Sequence, residues 1–108
     1  MTTDLPIACS LSATELPVRQ AQMAELGRDA LLVATVDGRR AELHFARRPG
    51  VHERVERFVA GERQCCAFLA MRVEEAPAQV RVIIDAPDGA ELVLEELVAS
   101  FGSATRAA

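Results

Sequence analysis

Residues 30–45 read ALLVATVDGRRAELHF, and they carry the clearest indication of how the chain folds. Its first seven residues are rich in strand formers, and the pair Asp37-Gly38 favours a tight type I′ hairpin turn. The second half alternates in polarity, which places Ala41, Leu43 and Phe45 on one face of a strand. The stretch therefore predicts a β-hairpin with one buried face.

Helices are predicted on both sides of this hairpin. The first begins at Ser12 or Thr14, both of which suit an N-cap, and ends near Leu26 with Gly27 as its C-cap. A second helix is predicted over residues 51–66. A second hairpin follows, with strands at 68–73 and 79–85. A last helix then spans residues 89–101 and is capped by Asp88.

We therefore expect a single α+β domain over residues 1–101, with the element order α-β-β-α-β-β-α. A mainly antiparallel four-stranded sheet would carry the helices on one face. The small residues 102–108 predict a flexible C-terminal tail. The outer strands of such a sheet leave edges that could pair in a homodimer.

The composition limits the class of protein. Half of the 108 residues are hydrophobic and 26% are charged, which is enough apolar material for a packed core. All twelve basic residues are arginine, so Schiff-base lysine chemistry is excluded. With a net charge of -4 and no Trp or Tyr, we expect no nucleic-acid partner, because phosphate contacts need a concentrated basic face. Short apolar runs and the lack of a secretory signal predict a cytoplasmic protein without a membrane partner.

The three cysteines, Cys9, Cys65 and Cys66, are the main candidates for chemistry. An odd count with two adjacent residues does not suit a disulfide framework. Cys65 and Cys66 come at the C-terminal end of the second helix, where the macrodipole is negative. That end disfavours a thiolate nucleophile but suits a bound cation, which deprotonates the thiols itself. If Cys9 meets the other two in space, three thiolates would suit Hg(II), As(III) or Cu(I) better than Mg or Ca.

Glu62 stands at a position of the second helix where the apolar stripe calls for a hydrophobic residue. The stripe consists of Val51, Val55, Phe58, Val59, position 62 and Cys66. A carboxylate buried there without a partner costs several kcal/mol. Either the stripe reaches the surface at this point and Glu62 is solvated, or Glu62 faces a pocket. In a pocket it would support a metal ligand or act as an occasional oxygen ligand.

The two histidines give little indication of a site. His52 precedes Cys65 by 13 residues, or roughly 20 Å along the helix axis, and so cannot share a metal with the cysteines inside that helix. His44 is predicted to share a solvated strand face with Glu42.

Two segments of the chain resemble a family of small bacterial proteins that is common in actinobacteria. Its members pair an IACSL-like segment, here residues 7–11, with an E-R-x-C-C-x-F-L segment, here residues 62–69. The resemblance covers residues 5–101. The family is similar to small proteins associated with heavy-metal resistance.

That resemblance implies that Cys9, Cys65, Cys66 and Glu62 are the positions where a function would lie, and no established activity comes with the family. Many relatives carry a second Glu where this chain has Gln64, and often Pro where it has Ala67. If that Glu were a ligand or a base, this chain would lack it.

Three functions follow from these observations, and we expect the first. It is a protein that binds Hg, As, Cu or Zn through Cys9, Cys65 and Cys66, without an organic cofactor, in sequestration, transfer or sensing. The second is a small thiol enzyme or redox protein, in which Cys65 or Cys66 reacts and Glu62 relays protons. The third is a dimerisation or regulatory module whose cysteines only pack in the core.

Overall fold

A computed structural model describes residues 15–102 of the chain, apart from the side chains of Glu15, Leu16 and Cys65. The predicted element order is confirmed. The elements are α1 (Glu15–Ala30), β1 (Leu31–Asp37), β2 (Arg40–Ala46), α2 (Val51–Cys65), β3 (Ala70–Glu75), β4 (Gln79–Asp85) and α3 (Glu91–Ala99). Three predicted features lie outside the described residues, namely the caps Ser12 and Thr14, the thiol of Cys9, and the tail beyond residue 102.

The four strands form one antiparallel sheet in the order β1-β2-β4-β3. Leu43 at the centre of β2 pairs with Ala34 on β1 and with Val82 on β4, and all three side chains are buried. Helices α1 and α3 contact β1 and β2, while α2 contacts β3 and β4. This confirms the predicted α+β domain, in which one face of the sheet carries the helices.

Phe101, which follows α3, joins the sheet to the helices. Its ring centroid lies 5.6 Å from that of Phe45 on β2 and 4.9 Å from that of Phe58 on α2, both edge to face. Its backbone carbonyl lies against α1 at Gly27, where an added Cβ would overlap the oxygen. The predicted C-cap at Gly27 is wrong, because α1 continues through it to Ala30. Close approach of two backbones, and not a left-handed conformation, explains this glycine.

The turn of the first hairpin is shifted from the prediction by one residue. Asp37 pairs with Arg40, so Gly38 and Arg39 are the two turn residues. Gly38 has a φ of 63°, whereas no described residue other than glycine has a positive φ. A positive φ at the first turn residue alone is typical of type II′. The hairpin is confirmed, and its predicted type I′ turn is wrong.

The third strand begins two residues later than predicted. Residues 66–69 form a turn, in which the N–H of Leu69 donates to the carbonyl of Cys66 at 3.0 Å. Because that turn uses the backbone after α2, the strand starts at Ala70 and not at Phe68.

The last helix is shorter than predicted. It begins at Glu91 with Ala90 as its N-cap and no side-chain capping bond, so Asp88 is not the cap. The predicted apolar stripe is confirmed, because its members Ala90, Leu94, Val98 and Phe101 are buried and Leu97 packs against the core. None of the helices within residues 15–102 is both long enough and apolar enough to cross a bilayer.

The face of the sheet away from the helices is charged. Arg40 donates to Asp85 through Nε at 2.7 Å, and this hydrogen bond holds the pKa of the Asp85 carboxyl below its ordinary value. Ile83 belongs to this face and is nevertheless buried. It pairs with Glu42 on β2 and with Arg72 on β3. Long charged side chains can cover an apolar neighbour with their aliphatic parts, which explains a buried isoleucine on this face.

Candidate functional site

Glu62 lies inside the protein. It is 3% exposed and is the only charged residue buried among the side chains that the structure describes. The interpretation in which the apolar stripe reaches the surface at this point is therefore wrong. A buried carboxylate needs a partner, and Arg19 of α1 supplies one by donating from Nη2 to Oε2 at 2.7 Å.

Gly61 makes room for this ion pair. An added Cβ at Gly61 would lie 2.7 Å from the Cζ atom of Arg19, closer than real Cβ contacts. The guanidinium therefore lies directly against the backbone of α2. Glycine in a helix interior costs about 1 kcal/mol relative to alanine, and the space that Arg19 requires explains its presence here.

The ion pair borders a groove of about 490 Å³ between α1 and α2. The lining residues of α2 recur at helical spacing, so a single face of that helix forms one wall. The buried side chains of Met23, Leu26 and Phe58 contribute apolar surface. Three arginines, namely Arg19, Arg54 and Arg57, also line the groove. The site thus combines an apolar surface with guanidinium groups.

The double cysteine follows Glu62 at the end of α2. Cys65 is the last helical residue, and its side chain is outside the described part of the structure. Cys66 is the C-cap, is 5% exposed, and donates its N–H to the carbonyl of Glu62 at 2.7 Å. Arg63 ties this end of α2 to β3 by donating from Nη2 to the carbonyl of Met71 at 2.9 Å. Arg63 therefore connects the backbone segment that carries both cysteines to the sheet.

Two of the four predicted site residues can be placed with their side chains. Glu62 and Cys66 are both buried and lie one helical turn apart. Cys9 and the thiol of Cys65 are outside the described residues. Within the described part, no group of three or more His, Cys, Asp or Glu residues could hold a metal ion.

Both histidines are engaged by polar neighbours. His44 lies 3.0 Å from the Oε1 atom of Gln79 and 3.2 Å from that of Glu42, and its side chain is 20% exposed. It is thus more buried than predicted, although it does share a face with Glu42. His52 lies 2.8 Å from a carboxylate oxygen of Glu75, which connects the start of α2 to the end of β3.

Sequence reasoning missed Arg19 and Gly61. A signal for both was present, because a glutamate in an apolar stripe demands a cation and the preceding glycine leaves space for one. The identity of that cation was not readable, because the chain has twelve arginines. Only the packing of α1 against α2 selects Arg19.

Comparison with known proteins found no matching family model, no matching curated protein and no matching solved structure for this chain.

Proposed function

We propose that this protein binds a soft metal or metalloid ion through the thiolates of Cys65 and Cys66, with Cys9 as a third donor. The observation that carries the proposal is the position of two adjacent cysteines at the C-terminal end of α2, next to a buried ion pair. Thiolates prefer soft ions, so Hg(II), As(III) and Cu(I) fit better than Mg or Ca. Zn(II) is a weaker fit, because the chain lacks the C-x₂-C spacing of structural zinc sites.

The electrostatics of the helix end favour a cation over a reactive thiol. The last carbonyl groups of α2 carry the partial negative charge of the helix dipole. A bound cation is stabilised by that charge, whereas a lone thiolate is destabilised by it. Because Arg19 balances the charge of Glu62, the thiolates would set the local charge of the site.

The Arg19–Glu62 ion pair supports the proposal by holding α1 beside the end of α2. Cys9 precedes the first residue of α1, Glu15, by only six residues. Six residues span at most about 20 Å when fully extended. The distance along the chain therefore keeps Cys9 within a limited radius of the start of α1. In this proposal Glu62 is a positioning residue for the last turn of α2.

A titration of the reduced protein with Hg(II), As(III), Cu(I) and Zn(II) tests the proposal, with thiolate-to-metal absorbance as the readout. We expect binding that the Cys65→Ser, Cys66→Ser double variant loses. The Cys9→Ser variant should bind more weakly, with two sulfur ligands in place of three. His52→Ala, which removes an imidazole nitrogen donor from a different part of the protein, is the matched control and should leave binding unchanged.

Circular dichroism of each variant separates loss of ligands from loss of fold, and the single Cys65→Ser variant spares the buried Cys66. Equal affinity of the double variant and the wild-type chain would end the proposal. Rapid alkylation of Cys65 or Cys66 at a pH well below the ordinary thiol pKa of about 8.5 would instead favour a thiol enzyme.

A further inference from the structure

We propose that the groove between α1 and α2 binds a small organic acid. Arg57 would hold the carboxylate of this acid, and the apolar surface of the groove would hold its hydrocarbon part. The proposal uses residues of α1 and α2 only and does not depend on the thiols.

The volume of the groove and its apolar lining suit a small organic acid. Its volume of about 490 Å³ lies within the range of about 300–1,000 Å³ that is typical of small-molecule sites. Met23, Leu26 and Phe58 are largely buried, and the parts of these side chains that line the groove are apolar. Ala60 and Gly61 are small, so the wall formed by α2 leaves space beside that surface.

The guanidinium groups differ in what they already bind. Arg19 is paired with Glu62, and Arg54 lies 3.1 Å from a carboxylate oxygen of Asp29. Arg57 has neither an ion pair nor a side-chain hydrogen bond with any residue of the described part of the chain. A planar guanidinium offers two parallel N–H donors that match a carboxylate. Arg57 is therefore the group available to an acidic ligand.

Glu25 limits the number of negative charges that a ligand in the groove can carry. Among the described residues that line the groove, Glu25 is the one that carries a carboxylate, and it is exposed. With Arg19 and Arg54 balanced by their own partners, a single negative charge on the ligand satisfies Arg57. A second negative charge would be repelled by Glu25, and the described lining residues hold no further unpaired arginine to balance it, so a monocarboxylate fits better than a phosphate.

Titration calorimetry and amide NMR with 4-phenylbutanoate test the proposal on the full chain. The neutral 4-phenylbutanamide and inorganic phosphate serve as comparison probes. We expect saturable binding of the acid, about tenfold weaker binding of the amide, and no binding of phosphate. Arg57→Gln should lower the affinity for the acid about tenfold and leave that for the amide unchanged.

Two further variants are placed at Ala60 and Arg72, which are exposed, so that the fold is kept. Ala60→Leu should fill the groove and weaken both organic probes. Arg72→Gln removes another exposed arginine, from the charged face of the sheet, and should leave the affinity for both organic probes unchanged. Cys65→Ser should bind the acid normally, which separates this site from the metal site. Failure of the acid to bind, equal binding of acid and amide, or an Arg57→Gln variant with unchanged affinity for the acid would each overturn the proposal.

Discussion

Replacing Gly61 by alanine should destabilise the wild-type chain and yet stabilise a chain that lacks Arg19. Alanine is favoured over glycine in a helix interior by about 1 kcal/mol. Against this gain, the new Cβ would lie 2.7 Å from the Cζ atom of the Arg19 guanidinium. The guanidinium must move away, and Glu62 then loses the cation that lies 2.7 Å from its carboxylate.

The size of the effect follows from two opposing contributions. Removing one partner of a buried ion pair typically costs about 3–5 kcal/mol. The low end applies here, because the Arg19 side chain is 20% exposed and flexible. Gly61→Ala should therefore lower the free energy of unfolding of the wild-type chain by about 2 kcal/mol. In an Arg19→Ala chain the same change should raise it by about 1 kcal/mol, which gives a coupling of about 3 kcal/mol.

Urea denaturation of the four proteins at neutral pH, under reducing conditions, measures this coupling. The dependence of unfolding free energy on urea should be the same for all four proteins, since no change in exposed surface is expected. Ala60→Gly is the matched control, because it should cost about 1 kcal/mol in either background. A Gly61→Ala effect of the same sign and size with and without Arg19, within about 0.5 kcal/mol, would show that Gly61 is not required by the Arg19–Glu62 pair.

Three further substitutions test other parts of the fold. Gly27→Ala should lower the free energy of unfolding by about 2 kcal/mol, because the Cβ meets the backbone carbonyl of Phe101, which cannot rotate away; an unchanged melting temperature would contradict this packing. Asp85→Asn should cost less than about 1 kcal/mol at neutral pH, because the pair with Arg40 is partly exposed. Since Arg40 lowers the pKa of Asp85 in the folded state, this contribution is complete above the ordinary carboxyl pKa and is lost as the pH falls through the lowered value. Urea midpoints of variant and wild type should thus converge in acid, and a constant difference would argue against the pair. Cys66→Ala should cost about 1 kcal/mol through the cavity that it leaves, and an unchanged urea midpoint would show that the thiol does not fill that space.

The strands and helices were predictable because their signals are local. Ala41, Leu43 and Phe45 alternate along β2, and each is fully buried in the sheet. The stripe of α3 recurs at helical spacing, and most of it faces the core. Burial of one face imposes a period of two on a strand and of 3.6 on a helix, and both periods are readable without knowledge of the neighbours.

The errors arose where one residue type serves two purposes. A glycine after an apolar stripe indicates a C-cap, yet Gly27 is glycine because the Phe101 carbonyl approaches the backbone of α1. An Asp-Gly pair indicates a type I′ turn, yet Asp37 is the last paired residue of β1. In each case a contact or a register that forms between elements overrides the local preference.

The element order, the buried faces and the unusual position of Glu62 could be predicted from the chain alone, because each of these is a pattern along it. Which cation pairs with Glu62 and where a groove opens depend on the packing of the elements. Arg19 and Glu62 are 43 positions apart, and the chain has twelve arginines, none of which is marked by local spacing as the partner. Periodicity defines the faces of α1 and α2, but which of these faces meet, and what they enclose, depends on how the two helices pack against each other and on the sheet.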